Sequence, residues 1–512
     1  MATRQKPSRA MIASARIIAC AALLLTIAGC RPLPPETPRP PAPAPALASA
    51  IDAIISSPPL DRAQWGILIA DAATGQPIYS LNPELLFVPA SNAKLATAAA
   101  ALEELGPEYR YLTRVYAIPG PADSIAAAIL VRASGDPSMS ERFQAGPYAV
   151  MDSLADSLAA AGIRRISGSI VIDVSRFTGE SVLPSWEVGD LSQYYAPPTG
   201  AFGVEEATVR VAVRPAAAPG QPAIVQTMPE PDLVEIDNGV RTSPEGTPLQ
   251  LTFEVDPRGT LIVSGSVPAG ADTTIVRTMA APDASDHAAR AMLAALRRRG
   301  IDAAGVVVVG DSAEARAMAA AGAADGPMPV ATWSSPPLAS IVHEMLKDSP
   351  NWIAEQVTRT LGAERGDAGS WAAGLEVQRR FLIDVVGIDS TAFVLRDGSG
   401  LSTKNLLTPA AAVALLEHAR AAPWGGVFFA GLPVAGTDGT LETRLEGVRG
   451  QVSAKTGSLT HVNTLSGYAR TRSGRDVVFS IFTNASGQPA ALVREAMDRV
   501  VELVVTGAAG YW

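Results

Sequence analysis

Read for the spacing of its apolar residues, the chain opens on segments that cannot build a core. An apolar run, Ile17–Ile27, follows a start carrying Arg4, Lys6, Arg9 and Arg16, and ends in Ala28-Gly29 before Cys30. A basic start, a short apolar stretch and small residues after it make an export signal, too short for a lasting membrane span. Residues 31–48, RPLPPETPRPPAPAPALA, are dense in proline, which favours extended polyproline II and reads as a semi-rigid spacer. From Trp65 the pattern changes. GILIADAATGQPIYSLN places apolar runs on either side of Thr74-Gly75, a hairpin, and residues 92–105, NAKLATAAAALEEL, are helix formers closed by Gly106-Pro107.

The long stretch 115–325 is rich in Val, Ile, Thr, Gly and Pro, with short alternating runs such as GSIVIDVS and TLIVSGSV, and predicts mostly β structure. Helical patterning returns at about 335–362 and 370–386. NTLSGYARTRSGRDVVFSIFTN is a second hairpin, turning at Ser473-Gly474. Ala490–Val505 then carries Leu492, Met497, Val500, Val501 and Val504 at helical spacing. The order predicts an α/β catalytic body interrupted by a large β-rich insertion. Its expected divisions are a signal over 1–30, a linker over 31–48, catalytic segments over 49–114 and 326–512, and the insertion over 115–325.

Composition narrows the class of function. At 512 residues the chain exceeds what one hydrophobic core supports, and a net charge of −9 argues against nucleic acid, whose phosphates need clustered Lys and Arg. Cys20 lies inside the signal and Cys30 ends it, so the exported body has no cysteine pair for a disulfide. Ile27-Ala28-Gly29-Cys30 resembles the bacterial lipobox, which implies a lipid anchor on Cys30 and attachment to a membrane. A plain signal with an incidental cysteine is the other reading. Arg31 after Cys30 differs from the aspartate that often retains such lipoproteins on the inner membrane, which leaves the outer membrane open. No metal or other cofactor is expected: the histidines are scattered, and His343-Glu344 lacks the second histidine that a zinc-binding helix carries.

Of 41 basic residues only five are lysines: Lys6, Lys94, Lys347, Lys404 and Lys455. Arginine keeps its proton in proteins whereas a buried lysine can lose it, so a chain that nearly excludes lysine keeps it where an amine is needed. Lys94 follows Ser91 by three residues at a helix start, within reach of the hydroxyl on the same face, and a desolvated neutral amine there can deprotonate a serine. Lys455 opens Lys455-Thr456-Gly457-Ser458 before the C-terminal hairpin, where a side-chain-free glycine lets a peptide lie close. Ser349-Pro350-Asn351 stands between them, preceded by Lys347.

Ser-x-x-Lys, Ser-x-Asn and Lys-Thr-Gly in this order match the signature set of serine β-lactamases and penicillin-binding proteins. Further phrases narrow the resemblance: Pro89-Ala90-Ser91, Gly135-Asp136-Pro137, DVSRFTGESVLPSWEVGDLSQYYAPP over 173–198, Asp397-Gly398-Ser399-Gly400-Leu401-Ser402, Asp438-Gly439-Thr440-Leu441 and Ser453-Ala454-Lys455-Thr456-Gly457-Ser458. From about residue 50 to the C-terminus the chain resembles the D-Ala-D-Ala carboxypeptidases of the DacB-like class C low-molecular-mass penicillin-binding proteins, peptidase family S13. The resemblance implies a β-lactamase/transpeptidase-like α+β catalytic domain with two inserted domains. It implies hydrolysis of peptidoglycan stem peptides through an acyl-enzyme, and β-lactams as covalent inhibitors.

In the roles so implied, Ser91 is the nucleophile, Lys94 its base, and Ser349 the relay that protonates the leaving D-alanine. Asn351 holds the substrate amide, Lys455 and Thr456 take the terminal carboxylate, and the N–H groups of Ser91 and Ser458 form the oxyanion hole. Asp190, in the stretch from Trp186 to Tyr195, resembles a residue that meets the ammonium of the stem's diamino acid; a solvated turn aspartate is the alternative. Arg444, Ser399 and Ser402 are expected to be structural and His461 to lie on the surface. Thr403 stands where the family often has arginine, and Pro350 where it commonly has aspartate. The competing functions are a non-catalytic cell-wall scaffold and a β-lactamase or esterase using the same serine.

Overall fold

The two ends of the folded chain meet in one sheet. The antiparallel strands Gln64–Asp71 and Pro77–Leu81 join Val452–Leu459, Val462–Arg470 and Asp476–Asn484, with Gln64–Asp71 lying against Asp476–Asn484. This computed structural model describes residues 45–256, 258–270, 274–309 and 328–507. Cys30, the expected export signal and most of the proline-rich stretch lie outside them.

Both faces of the sheet are covered, which is why Val477–Thr483 is buried without alternation. One face packs on the helices Pro45–Ile55 and Ala490–Thr506, the latter through Val493, Met497, Val500, Val501 and Val504. Spacing of three, four and seven residues puts these on one stripe. The spacer was expected to run to 48, but Leu47 is buried in this cluster, so the folded body begins earlier. Against the other face lies the helix Ala93–Glu104, buried from Ala93 to Leu102. Its alanines let neighbouring helices approach closely, and Leu95, Leu346, Val357 and Phe482 complete that core.

The insertion leaves and returns at one place. Its first strand, Leu112–Ala122, pairs antiparallel with Ala331–Ser334, the segment that re-enters the catalytic body. The boundaries expected at 114/115 and 325/326 therefore need moving outward, because the first cuts this strand and the second leaves Ala331–Ser334 with the wrong body. The first strand also pairs with Ile125–Arg132, which lies against Ile170–Asp173, next to Val306–Val309. The helices Ala149–Ala160 and Ala284–Arg298 pack on this sheet, so this part of the insertion is mixed rather than mostly β. The second inserted body is all β. Two three-stranded sheets, one of Thr208–Arg214, Ile224–Met228 and Ile275–Ala280 and the other of Ile236–Ser243, Gln250–Val255 and Leu261–Pro268, enclose a core of Val209, Val211, Val240, Leu261 and Val263.

Arg359 fastens the insertion to the catalytic helices. Its guanidinium lies 4.7 Å from the Phe177 ring centroid and 4.8 Å from that of Trp371, and donates to the carbonyls of Thr178 and Gly369 and to Thr199 Oγ1. A buried, multiply bonded arginine of this kind fixes the 177–199 loop, which forms one wall of the cleft described next.

Candidate active site

Ser91 sits in a tight turn, Ala90–Asn92, that feeds directly into the buried helix Ala93–Glu104. Two glycines make room for that turn. A Cβ on Gly400 would lie 1.8 Å from the Ala90 carbonyl oxygen, and one on Gly457 would lie 2.9 Å from the Ser91 nitrogen. The Lys-Thr-Gly strand therefore passes against the backbone of Ser91.

Lys94 follows one helical turn on and is fully buried. Its Nζ donates to Ser91 Oγ at 3.0 Å, to Asn351 Oδ1 at 2.6 Å and to the Ser399 carbonyl at 2.7 Å. Burial pulls the ammonium down to about 7, while the carboxylates of Glu355 and Asp397 oppose the shift. An amine poised there can carry or lack its proton at neutral pH.

A second pair faces the first. Lys455 Nζ donates to Ser349 Oγ at 2.8 Å and to the Thr456 carbonyl at 2.9 Å. Burial, then repulsion from Lys94, holds Lys455 well below the usual lysine range. Ser349 lies between the helices Leu338–Lys347 and Asn351–Arg365 at φ +65°, a left-handed conformation uncommon outside glycine. Its neighbours hold it there: Lys347 Nζ bonds Asp438 at 2.9 Å and the Leu432 carbonyl at 2.7 Å, and Arg142 bonds Asp348 at 2.7 Å. Asn351 Nδ2 reaches across to the Tyr195 carbonyl at 2.7 Å, joining the cleft wall to Lys94.

Thr456, Gly457 and Ser458 occupy the outer strand of the sheet. On that strand Ala454 N–H donates away from the sheet to the Pro433 carbonyl, and backbone groups alternate with a period of two, so the Ser458 N–H faces the same open edge. Thr456 Oγ1 donates to Thr440 Oγ1 at 2.7 Å. Ser91, Ser349, Asn351, Gly400, Thr403 and Ser458 line a cleft of about 340 Å³ whose far wall is Glu187, Asp190, Tyr194 and Tyr195. Asp190 Oδ1 accepts from Tyr195 Oη at 2.8 Å. Arg444 is ion-paired with Asp498 at 2.7 Å, and His461 is an exposed turn residue between strands.

Residues 47–504 match the D-Ala-D-Ala carboxypeptidase 3 (S13) family. The chain belongs to that family. It is 35% identical over 460 residues to a D-alanyl-D-alanine carboxypeptidase of Actinomadura sp. (strain R39), covering 86% of this chain and 81% of the relative. It is 25% identical over 432 residues to the D-alanyl-D-alanine carboxypeptidase DacB of Haemophilus influenzae, covering 82% of this chain and 85% of the relative. The crystal structure of penicillin-binding protein 4 (dacB) from Haemophilus influenzae superposes with a TM-score of 0.76 at 22% identity, over 89% of this chain and 99% of that one, and shares its fold.

In this S13 carboxypeptidase the sequence reading missed Glu355 and gave Asp397 no role, although both carboxylates support the site. Glu355 is fully buried and accepts from the N–H groups of Gly398 at 3.0 Å and Ser399 at 2.7 Å, and from Trp371 Nε1 at 2.7 Å. It thereby fixes the turn whose Ser399 carbonyl receives Lys94. Burial, with the nearby Asp397 carboxylate, raises Glu355 to about 7. Asp397 accepts from Trp186 Nε1 at 3.0 Å, from the N–H groups of Gly400 and Ser402, and from Asn405 Nδ2. Glu355 lies four residues after Asn351, on the same helix face, which is the signal that could have exposed it. Glu355→Ala strands three buried donors and is expected to destabilise the fold by about 3 kcal/mol or more. Thermal unfolding checks this; an unchanged melting temperature contradicts the role.

Proposed function

We propose that this D-Ala-D-Ala carboxypeptidase cleaves peptidoglycan stem peptides through an ester on Ser91, with Lys94 as the base. The observation that carries the reading is the convergence of two serine–lysine pairs, Ser91–Lys94 and Ser349–Lys455, on one cleft. Neutral Lys94 takes the Ser91 proton as Oγ attacks the carbonyl of the penultimate D-alanine. The Ser91 and Ser458 N–H groups receive the oxyanion, each such donor being worth about 3 kcal/mol.

The scissile C–N bond then breaks and Ser349 passes a proton to the departing amine, replenished through Lys455 and Lys94. Water attacks the ester, gives its proton to Lys94, and frees Ser91. Arrival of the substrate's terminal carboxylate beside Lys455 and Thr456 favours the charged form of Lys455. A cation there disfavours a second one on Lys94, so substrate binding itself keeps the base neutral. The same attack on a cross-linked peptide, whose leaving amine belongs to a neighbouring stem, makes the protein an endopeptidase, and attack on a β-lactam ring leaves a covalent adduct.

Incubation with stem peptides ending in D-Ala-D-Ala is expected to release D-alanine, and cross-linked dimers to yield monomers. Absence of D-alanine release from folded protein overturns the reading. Asp190 and Glu187 place negative charge on the far wall, which suits a stem side chain ending in a free ammonium. Asp190→Asn is expected to raise KM for such peptides about fivefold, as loss of one partly exposed ion pair does. Peptides with that amine acetylated should be unaffected; an equal change for both removes Asp190 from recognition.

The reading includes export and a lipid anchor on Cys30, with the outer membrane as its place. The basic start, the apolar run and Ile27-Ala28-Gly29-Cys30 support it. The absence of label on Cys30 after growth with a fatty-acid probe would exclude the anchor.

A further inference from the structure

A second polar cleft, of about 630 Å³, lies where the insertion joins the catalytic body. Four arginines line it: Arg110, Arg114, Arg132 and Arg176. Arg114 and Arg132 are direct cross-strand partners, and Arg132 is in turn aligned with Asp173 on the next strand, so the three form one row. The next row on that face is the buried cluster Tyr116, Leu130 and Val171, with the Arg132 guanidinium 5.7 Å from the Tyr116 ring centroid.

Like charges set directly opposite each other in a sheet are destabilising. Two acidic residues of the cleft are already engaged by other groups. Glu364 accepts from Arg176 and from Tyr109 Oη, and Asp173 Oδ1 accepts from the Ser175 N–H at 3.0 Å. Arg110 donates to the Ser335 carbonyl at 2.7 Å, and Asp367 completes the acidic lining. Among the described residues the Arg114 side chain has no hydrogen bond or ion pair. A half-buried guanidinium kept beside another, in a cavity also lined by Ser134, Ser175 and Thr178, has the fork geometry and the open space to take a carboxylate.

The cleft is placed by the same helix that builds the active site. Asn351 begins the helix Asn351–Arg365 and Glu364 lies at its other end, about 20 Å away at 1.5 Å per residue. We propose that this cleft holds a carboxylate of a second stem peptide of the peptidoglycan polymer while the first occupies the cleft at Ser91. The proposal rests on the carboxypeptidase reading for its choice of polymer, and on Arg114 and its neighbours for the site.

The test is co-sedimentation of the full protein with insoluble peptidoglycan stripped of phosphate-bearing polymers, beside D-alanine release from a small free peptide. Arg114→Glu turns the cross-strand repulsion into an attraction, so it is expected to keep or raise the melting temperature and to leave small-peptide turnover unchanged. Retention on stripped peptidoglycan should weaken at least about tenfold, the loss of one charge-assisted bond. Arg114→Gln should weaken it in the same direction. Unchanged retention in both variants overturns the proposal. So does a lowered melting temperature in Arg114→Glu with normal retention in Arg114→Gln, which makes the residue structural. Retention only on unstripped material assigns the cleft to phosphate instead and overturns the carboxylate. Wild-type protein that shows Arg114-dependent retention without releasing D-alanine supports this site and counts against the catalytic reading alone.

Discussion

Ser91→Ala is expected to lower D-alanine release by on the order of 10⁶-fold, as loss of an activated nucleophile does in a serine hydrolase, and to abolish covalent penicillin labelling. The side chain is half-buried at the head of a buried helix, with Lys94 Nζ 3.0 Å from its Oγ, and among the described residues no other hydroxyl is bonded to that amine. Ser349 is bonded to a different amine, Lys455, and not to Lys94. Removing one oxygen leaves the helix and the Gly400 and Gly457 contacts in place, so the variant should fold and still bind substrate. Mass spectrometry of the digested protein after incubation with a penicillin reads the result directly. The wild type should carry the adduct on the Ser91 peptide and the variant none; an adduct elsewhere, or turnover by Ser91→Ala, would falsify the assignment.

The second large effect concerns Lys94 and pH. Its depression to about 7 arises first from burial, opposed by Glu355 and Asp397. The base works only without its proton, so kcat/KM should rise about tenfold per pH unit below 7 and level off above it. Lys94→Arg removes the neutral form entirely, since a guanidinium stays charged, and should cost about 10³-fold at every pH tested. A pH–rate profile that is flat from 5 to 9, or that falls through 7, places the base elsewhere.

Much of this was legible in the residues. The scarcity of lysine marked side chains that the fold buries: Lys94 and Lys455 are fully buried and Lys347 nearly so, whereas Lys404 is exposed. Lys347 carried the same signal but a different task, anchoring the Ser349 loop to Asp438. The helix Ala284–Arg298 of the insertion was also written in the chain. Asp283 caps Ala284–Arg298, accepting from the Ser285 and Asp286 N–H groups, and Gly300 follows the end. An average over 115–325 hid that local period beneath the valines and threonines around it. Glu355 was harder to find, because the N–H groups it binds belong to Gly398 and Ser399, more than forty residues away, and only its spacing of four from Asn351 hints at the site.

The sequence by itself determined the identity and order of the three motifs that form the candidate site, the helix that carries Ser91 and Lys94, and the hairpins at either end. Those depend on neighbours within a few residues, where periodicity and turn chemistry act. Only the tertiary structure decided how Lys455 meets Ser349 across 106 positions, how the insertion returns through Ala331–Ser334 beside its first strand, and how Tyr194 and Tyr195 wall the cleft. It alone set the charge state available to Lys94, because desolvation is a property of everything packed around the amine and of none of those residues singly.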